Sequence, residues 1–256
     1  MSGLLGIGGA LVFIPIITHV IAPFLLGAEA IPYILANSFC IVFIAGAAAS
    51  FKQYKLGNYY PQQSIYTAIP AAFCSLIVAA VVKYYSTYNG DELIQFFKFI
   101  FLLLLVFIFF NTLFANRKKA FFGMPNQIAN KKFVYTGIGV GFISGITGLG
   151  GGVLMLPIFS QFFRLKYSIA TAISSLVIPL FTLPSLIYYA YLTPTETIYP
   201  SMQLGYICLP IVLPTIPFII LCSQLGVKLN HRFPVWILNA IFALIILINI
   251  YKIIFL

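Results

Sequence analysis

The sequence predicts an all-α, polytopic integral membrane protein with two homologous repeats of four segments each. Hydrophobic residues make up 62% of the 256 residues and charged residues only 7%, too few charges to cover the surface of a soluble domain. Apolar runs of membrane-spanning length recur along the chain, and one glycine-rich motif occurs twice. These three observations fix the fold class before any single residue is considered.

Six apolar runs each contain roughly the 20 residues that a helix needs to cross a bilayer. They are continuous rather than alternating, so membrane β-strands are a poor alternative. The predicted spans are residues 31–51, 64–82, 93–115, 168–192, 203–222 and 233–255. The longest polar interval divides the chain into a first repeat at 1–115, a basic cytoplasmic linker at 116–132 and a second repeat at 133–256.

The repeated glycine motif opens each half. Gly-Leu-Leu-Gly-Ile-Gly-Gly begins at Gly3, and Gly-Ile-Thr-Gly-Leu-Gly-Gly begins at Gly145, 142 residues later. A proline follows each copy, and six of the fourteen positions from 3 to 16 are identical to their counterparts. Glycines therefore interrupt a long apolar segment at matching points of the two halves, which is the sequence sign of a transporter's binding site near the middle of the membrane.

The segment 133–163 is too long for a simple span. As one helix its 31 residues would measure about 46 Å, whereas the hydrocarbon core is about 30 Å thick. Either a tilted helix or a re-entrant hairpin of two half-helices, 133–145 and 152–163, would resolve the mismatch. If both glycine-rich segments are re-entrant, the basic residues split 11 to 2 between the two membrane faces, against 8 to 5 otherwise. The positive-inside rule favours the first arrangement.

Equivalent loops of the two halves carry opposite charge signals. Lys52 and Lys55 follow one helix of the first half, whereas the acidic Glu196 follows its counterpart. Each half has three spanning helices beside its glycine-rich segment, and an odd number of crossings inverts the second half. Inverted repeats are the architecture of many secondary transporters.

The first glycine motif begins at residue 3, without the basic region that opens a cleavable signal peptide. The second motif follows about twelve apolar residues, 133–144, that the first copy lacks. These features suggest a start site assigned too late or a truncated gene, and therefore an incomplete first glycine-rich segment.

The two glycine motifs are expected to bind a small anion. A half-helix that begins after each motif would direct unpaired N–H groups and its positive dipole end toward the middle of the membrane. Glycine permits a close ligand approach and positive φ, although close helix packing through small residues is an alternative explanation. The candidate binding residues in the motifs are Gly6, Gly8, Gly9, Gly148, Gly150, Gly151 and Gly152.

Neutral polar residues follow each motif inside the next span. Asn37 and Ser38 lie in the first repeat, and Ser174 and Ser175 lie at the equivalent place in the second. Amides and hydroxyls can bind an anion's oxygens without cancelling its charge, but serine also bonds to its own helix. These four residues complete the predicted binding set. Secondary candidates are Ser144, Thr147 and Thr182.

The remaining reactive groups do not indicate catalysis. The sequence contains no Cys-x-x-Cys, His-Glu-x-x-His, Gly-x-Ser-x-Gly or Walker motif, and no carboxylate lies deep in a predicted span. We therefore predict no enzyme activity, no cofactor and no metal. The basic residues are scattered through short loops, so no nucleic-acid partner is expected. The predicted partners are a small anionic substrate and the lipid bilayer, and a homo-oligomer is left open.

GLLGIGGALVFIP and SGITGLGGGVLMLP resemble the two signature segments of the TauE/SafE family of sulfite and organosulfonate exporters. The resemblance covers essentially the whole chain, including the eight-segment layout and the Ala-Asn-Ser and Ala-Ile-Ser-Ser positions. It implies a proton-coupled secondary carrier of small sulfur oxyanions in a bacterial inner (plasma) membrane. The first motif departs from the second by ending in Gly-Gly-Ala.

The sequence thus predicts a secondary transporter that moves a small anion, sulfite or an organosulfonate best of all, by alternating access. A transporter of another oxyanion or of a carboxylate is one alternative, because helix N-termini bind any anion. A non-transporting accessory protein or a degenerate relative is another.

Overall fold

The computed structural model of the chain describes residues 13–14, 17–18, 30–88, 90–113, 128–194, 197–198, 201–230, 243–244, 246–248 and 250. Its α-helices are α1 (Ala30–Lys55), α2 (Pro61–Tyr88), α3 (Gly90–Leu113), α4 (Asn130–Thr147), α5 (Gly152–Pro157), α6 (Tyr167–Tyr191), α7 (Leu209–Val212) and α8 (Ile216–Asn230). A π-helical turn (Ile158–Phe162) continues α5, and a 3-10 turn (Leu213–Thr215) joins α7 to α8. Strands β1 (Gln203–Leu204) and β2 (Ile207–Cys208) pair antiparallel.

The all-α, polytopic prediction is confirmed. Five helical stretches of the described residues are long and apolar enough to cross a membrane, namely Ala30–Lys55, Pro61–Tyr88, Glu92–Phe110, Tyr167–Tyr191 and Leu209–Lys228. The first glycine motif, with Gly6, Gly8 and Gly9, lies outside the described residues, as do most of the linker 116–132 and of the predicted span 233–255.

The predicted span 203–222 is wrong in its first six residues, which form a β-hairpin instead of a helix. Gly205 takes the turn with φ +55°, and its backbone approaches the carbonyl oxygens of Tyr189 and Ala190 at the end of α6. A side chain at that position would be strained and would overlap α6. The helix begins only at Leu209, where Pro210 is tolerated in the first turn.

The second glycine-rich segment folds as a hairpin. The ring of Phe133, near the start of α4, lies 5.8 Å from the ring of Phe159 and 5.3 Å from that of Phe163, measured between centroids. The chain therefore returns to the end where it began, and a single tilted helix is ruled out. This is the hairpin that the charge distribution favoured.

Helices α1 and α6 pack antiparallel. The rings of Phe39 and Tyr189 stack at 6.3 Å, and Gly46 of α1 contacts Ile178 and Pro179 of α6. Rising residue numbers in one helix thus meet falling numbers in the other. These two helices are the ones predicted to be equivalent, and opposite directions are what inversion requires. The inverted repeat itself stays a prediction, because the first glycine-rich segment lies outside the described residues.

Helices α2 and α4 run parallel through a stripe of small residues. Glycines of α4 spaced by four residues face small residues of α2 with the same spacing: Gly137 faces Thr67, Gly141 faces Ala71, and Gly145 faces Ser75 and Val78. A Cβ atom at either of the first two glycines would overlap a backbone carbonyl oxygen of α2. The two backbones therefore approach as closely as small-residue motifs allow in membrane helices.

These directions gather the ends of several helices at one end of the molecule, which we call the basic end. It carries the end of α1, the start of α2, the start of α4 and the start of α6. The basic residues there are Lys52, Lys55, Lys131, Lys132, Arg164 and Lys166. Lys83 lies near the other end of α2. The fold therefore gathers most of the described basic loop residues at one end of the molecule, as the uneven charge of the loops suggests.

The basic end is predicted to face the cytoplasm, because basic residues are retained on that side during insertion. With the native cysteines replaced, single cysteines at Asn58 and Arg164 should react with an impermeant thiol reagent only from inside, and one at Thr193 only from outside. Labelling of Asn58 and Arg164 from opposite sides would contradict the hairpin.

A second prediction concerns the α2–α4 stripe. Gly141→Ala should lower the melting temperature in detergent, because its methyl group would overlap the backbone of Ala71, and overpacking costs about 1–3 kcal/mol. Gly139→Ala is the matched control, because a Cβ atom there meets nothing within 4 Å. Equal melting temperatures for the two variants would refute the close approach of α2 and α4.

Candidate functional site

The hairpin turns at residues 148–151, which we call the break. Gly148, Gly150 and Gly151 have φ values of 69°, 70° and 68°, in the left-handed region that favours glycine. All the residues of the break are buried. The sequence therefore places glycine where helix α4 must stop and reverse inside the protein.

Helix α1 packs tightly against the break. A Cβ atom at Gly148 would lie 2.8 Å from a methyl group of Leu35, and one at Gly150 would overlap Val42. The glycines are thus explained by close packing as well as by backbone conformation. Any ligand would have to meet backbone polar groups of the break, since the space beside these two Cα atoms is filled.

The N–H groups of the break are only partly used. Gly148 N–H donates to Ser144 O at 2.8 Å, and Gly152 N–H donates to Gly150 O at 2.8 Å. Among the described residues, no acceptor is seen for the N–H groups of Gly150 and Gly151. A buried, unpaired N–H group is costly unless a ligand or water accepts from it.

Ser144 adds an unpaired hydroxyl beside the break. Its side chain is 1% exposed, and its Oγ has no hydrogen-bond partner in the part of the chain that the structure describes. It lies one helical turn from Val140, whose side chain fills the space beside Gly151, and one turn from Gly148. Ser144 therefore occupies the face of α4 that looks toward the break. Ser144 is only a secondary candidate in the sequence analysis, because no neighbouring residue in the sequence indicates that its hydroxyl stays unpaired.

Ser38 binds the break from α1. Its Oγ donates to Gly148 O at 2.7 Å and is fully buried. The carbonyl of Gly148 belongs to the C-terminal end of α4, where the helix dipole is negative. By satisfying that carbonyl, Ser38 reduces the negative potential that an anion would meet. The structure thus places Ser38 and Gly148, two of the predicted binding residues, in contact with each other.

Asn37 points to a different element. Its Nδ2 donates to Tyr33 O at 2.8 Å and to Tyr206 O at 3.1 Å, and its Oδ1 accepts from Cys208 N–H at 2.9 Å. Tyr206 and Cys208 belong to residues 203–208, which we call the plug. Both donors of the amide are occupied by backbone, so in this conformation Asn37 holds the plug rather than a ligand.

Ser174 and Ser175 are buried but bond within their own helix, since both hydroxyls donate to Thr171 O, at 3.1 Å and 2.6 Å. Phe181 of α6 is the residue beside Gly151. Ser174 lies two turns away, about 10 Å along the helix. The structure therefore does not bring these serines to the break.

The other two hydroxyl candidates also bond back to their own helices. Thr147 Oγ1 donates to Ile143 O and Thr182 Oγ1 donates to Ile178 O, each at 2.8 Å. Within the described ranges, no three His, Cys, Asp or Glu residues gather as metal ligands. The functional groups left for a ligand at the break are neutral donors.

A basic contact on the plug was not foreseen from the sequence. Lys83 Nζ donates to the hydroxyl of Tyr206 and lies 4.9 Å from the centroid of its ring. The sequence interpretation treated Lys83 as a loop charge that reports topology. Gly205 is the sequence signal that could have indicated this irregular segment, because a glycine inside an apolar run marks a place where regular structure is interrupted and the backbone can be approached closely.

The sequence resembles known proteins along almost its whole length. The chain matches the family described as Sulfite exporter TauE/SafE over residues 1–253. The chain belongs to this family.

Two curated relatives carry transporter names. A probable membrane transporter protein of Methanocaldococcus jannaschii is 28% identical over 241 residues, which cover 91% of this chain and 82% of the relative. A probable membrane transporter protein of Haemophilus influenzae is 25% identical over 263 residues, covering 98% and 93%. No solved structure matches the chain. The TauE/SafE chain is thus an integral membrane protein of a transporter family rather than of an enzyme family.

Asn37→Leu should destabilise the folded protein, because it leaves Tyr206 O and Cys208 N–H buried without a partner. Each unpaired group costs about 1–3 kcal/mol, so the melting temperature in detergent should fall. Cys40→Leu, a half-buried position on the same helix, should change it much less. If the two variants melt alike, Asn37 does not hold the plug.

Proposed function

We propose that this TauE/SafE protein is a secondary transporter of a small anion, with sulfite or an organosulfonate as the first candidates, and that the anion binds at the break. One observation carries the proposal: the buried break leaves the N–H groups of Gly150 and Gly151 and the hydroxyl of Ser144 without partners among the described residues. Three unpaired donors in one buried place favour an anion over a cation.

Helix α5 strengthens this preference. It begins at Gly152 and continues through the π-helical turn to Phe162, so its positive dipole end faces the break. Neutral donors and a dipole bind an anion without the strong attraction of a buried basic residue. Such a site can release its anion on the other side, which a carrier needs.

The hairpin also suits alternating access. Its first arm packs on α2, and its break packs on α1, so movement between these helices would alter the break. We propose that one repeat rocks against the other around this point. The bacterial inner membrane, coupling to protons, the two-repeat division, the binding roles of Ser174 and Ser175, and a homo-oligomer remain predictions from the sequence.

Ser144→Ala should weaken anion binding and transport. The change removes one unpaired donor, and a lost hydrogen bond to a charged partner costs roughly 1.5–3 kcal/mol. The measurement is uptake of labelled sulfite and taurine into proteoliposomes across a concentration series. Thr136→Ala is the matched control on the same helix, because its hydroxyl is already bonded to Lys132 O at 2.8 Å.

Lys98→Gln tests the competing idea that a formal positive charge holds the anion. Lys98 is exposed on α3, so we expect an unchanged KM. A loss at Lys98 larger than at Ser144 would move the site away from the break. Uptake of a carboxylate but of neither sulfur anion would replace the proposed substrate, and no uptake of any anion would favour an accessory role.

A further inference from the structure

A groove runs beside the stripe of small residues between α2 and α4. Its volume is about 470 Å³, and its lining is apolar, with Ile69 and Phe73 of α2 on one wall and Val134 and Ile138 of α4 on the other. Phe73 is 65% exposed and Ile138 is 43% exposed, so the groove opens outward rather than toward the break. Because α2 is long and apolar enough to cross a membrane, this opening faces the acyl chains of the bilayer.

The shape of the groove follows from the stripe. Glycines of α4 bring the two backbones together, so no side chain of either helix fills the space between them. Larger side chains stand on both sides at helical spacing, and they leave a narrow furrow along the helix axes. A volume of about 470 Å³ is within the roughly 300–1,000 Å³ of small-molecule sites. A furrow of this size and shape fits an acyl chain, whereas a protein partner needs a broad surface.

The length of the groove matches one leaflet of a bilayer. Tyr66 and Cys74, at its two ends on α2, are separated by about 12 Å along the helix. One leaflet contributes about 15 Å to the hydrocarbon core, half of its thickness of about 30 Å. The exposed rings of Tyr59 and Tyr135 lie near the end of the groove at the basic end, where aromatic residues mark a membrane interface. A chain in the groove would thus run from this interface toward the middle of the membrane.

Two lysines lie at the end of the groove nearest the basic end. Gly137 faces Thr67 and the helices are parallel, so Lys131 is level with the first residues of α2. Lys131 and Lys132 are both exposed, and neither α2 nor α4 contains an acidic residue. Positive charge at a membrane surface attracts anionic lipids. The groove therefore combines an apolar furrow with an unopposed pair of positive charges at its interfacial end.

From these features we propose that the groove is a binding site for one anionic phospholipid, whose acyl chain fills the furrow and whose phosphate headgroup is held by Lys131 and Lys132. Lys131 shares one face of α4 with Val134 and Ile138, so one lipid can contact all three. The positive dipole end of α4 lies at the same place and favours the phosphate. The site is separate from the break and does not depend on the transported substrate.

Native mass spectrometry of the full chain in detergent tests the headgroup contact. The protein is titrated with phosphatidylglycerol, and separately with phosphatidylcholine that carries the same acyl chains. We expect one tightly bound phosphatidylglycerol per chain and weaker binding of phosphatidylcholine. Lys131→Gln combined with Lys132→Gln should lower the affinity for phosphatidylglycerol roughly tenfold or more and leave that for phosphatidylcholine unchanged. Lys55→Gln combined with Lys166→Gln is the matched control, because it removes two exposed lysines of the basic end that lie on neither helix of the groove.

Ile138→Trp tests the acyl-chain contact. The indole ring would occupy the furrow, so the tightly bound phosphatidylglycerol should be lost although both lysines remain. Ile187→Trp is the matched control, because it makes the same change on α6, at a position that is 46% exposed and does not line the groove. It should bind phosphatidylglycerol like the parent protein. Melting temperatures measured without added lipid show that both variants are folded.

Equal affinities for the two lipids, or equal effects of the two lysine pairs, would overturn the proposal. So would a phosphatidylglycerol complex that survives Ile138→Trp. If the parent protein is instead a lipid-free dimer that Ile138→Trp separates into monomers, a second chain occupies the groove and the lipid site is refuted. The measurement involves no transport, so the lipid site and the anion site at the break can fail separately.

Discussion

Two consecutive side chains of α1 hold the irregular parts of this protein in place. Asn37 bonds to the backbone of Tyr206 and Cys208 in the plug, and Ser38 donates to the carbonyl of Gly148 in the break. Irregular backbone inside a membrane protein survives only where its polar groups find partners in the protein or in a cavity. Without these two side chains, a β-hairpin and a helix reversal would each leave polar backbone exposed to an apolar interior.

The same requirement explains where unused polar groups matter. Most buried hydroxyls of the spans, such as those of Ser175 and Thr182, bond to their own helix and change nothing else. Ser144 differs because its hydroxyl finds no partner among the described residues, although it is as buried as the others. Its proximity to unpaired N–H groups separates a candidate ligand site from the many structural hydroxyls of this membrane protein.

The sequence was sufficient for the family and for the helical membrane class, and it favoured the hairpin over a tilted helix, because these depend on motif, hydrophobic length and charge. It could not assign roles to single polar residues, because those depend on contacts across the chain. Asn37 and Ser174 read alike as polar residues after a glycine motif, yet one bonds to residues about 170 positions away and the other only to its own helix. The plug was missed because hydropathy alone does not distinguish a buried β-hairpin from the start of a helix.

The stripe between α2 and α4 has a consequence for motion. The small residues repeat every four positions on both helices. At Gly137 and Gly141 the backbone of α4 lies directly against the backbone of α2, with no flexible side chain between them that could move aside. A small slide would drive carbonyl oxygens against the opposite helix, so the next fitting position lies one whole repeat, about 6 Å, away. The close packing thereby resists sliding of the first arm of the hairpin along α2, and with it any change in the depth of the break relative to α2.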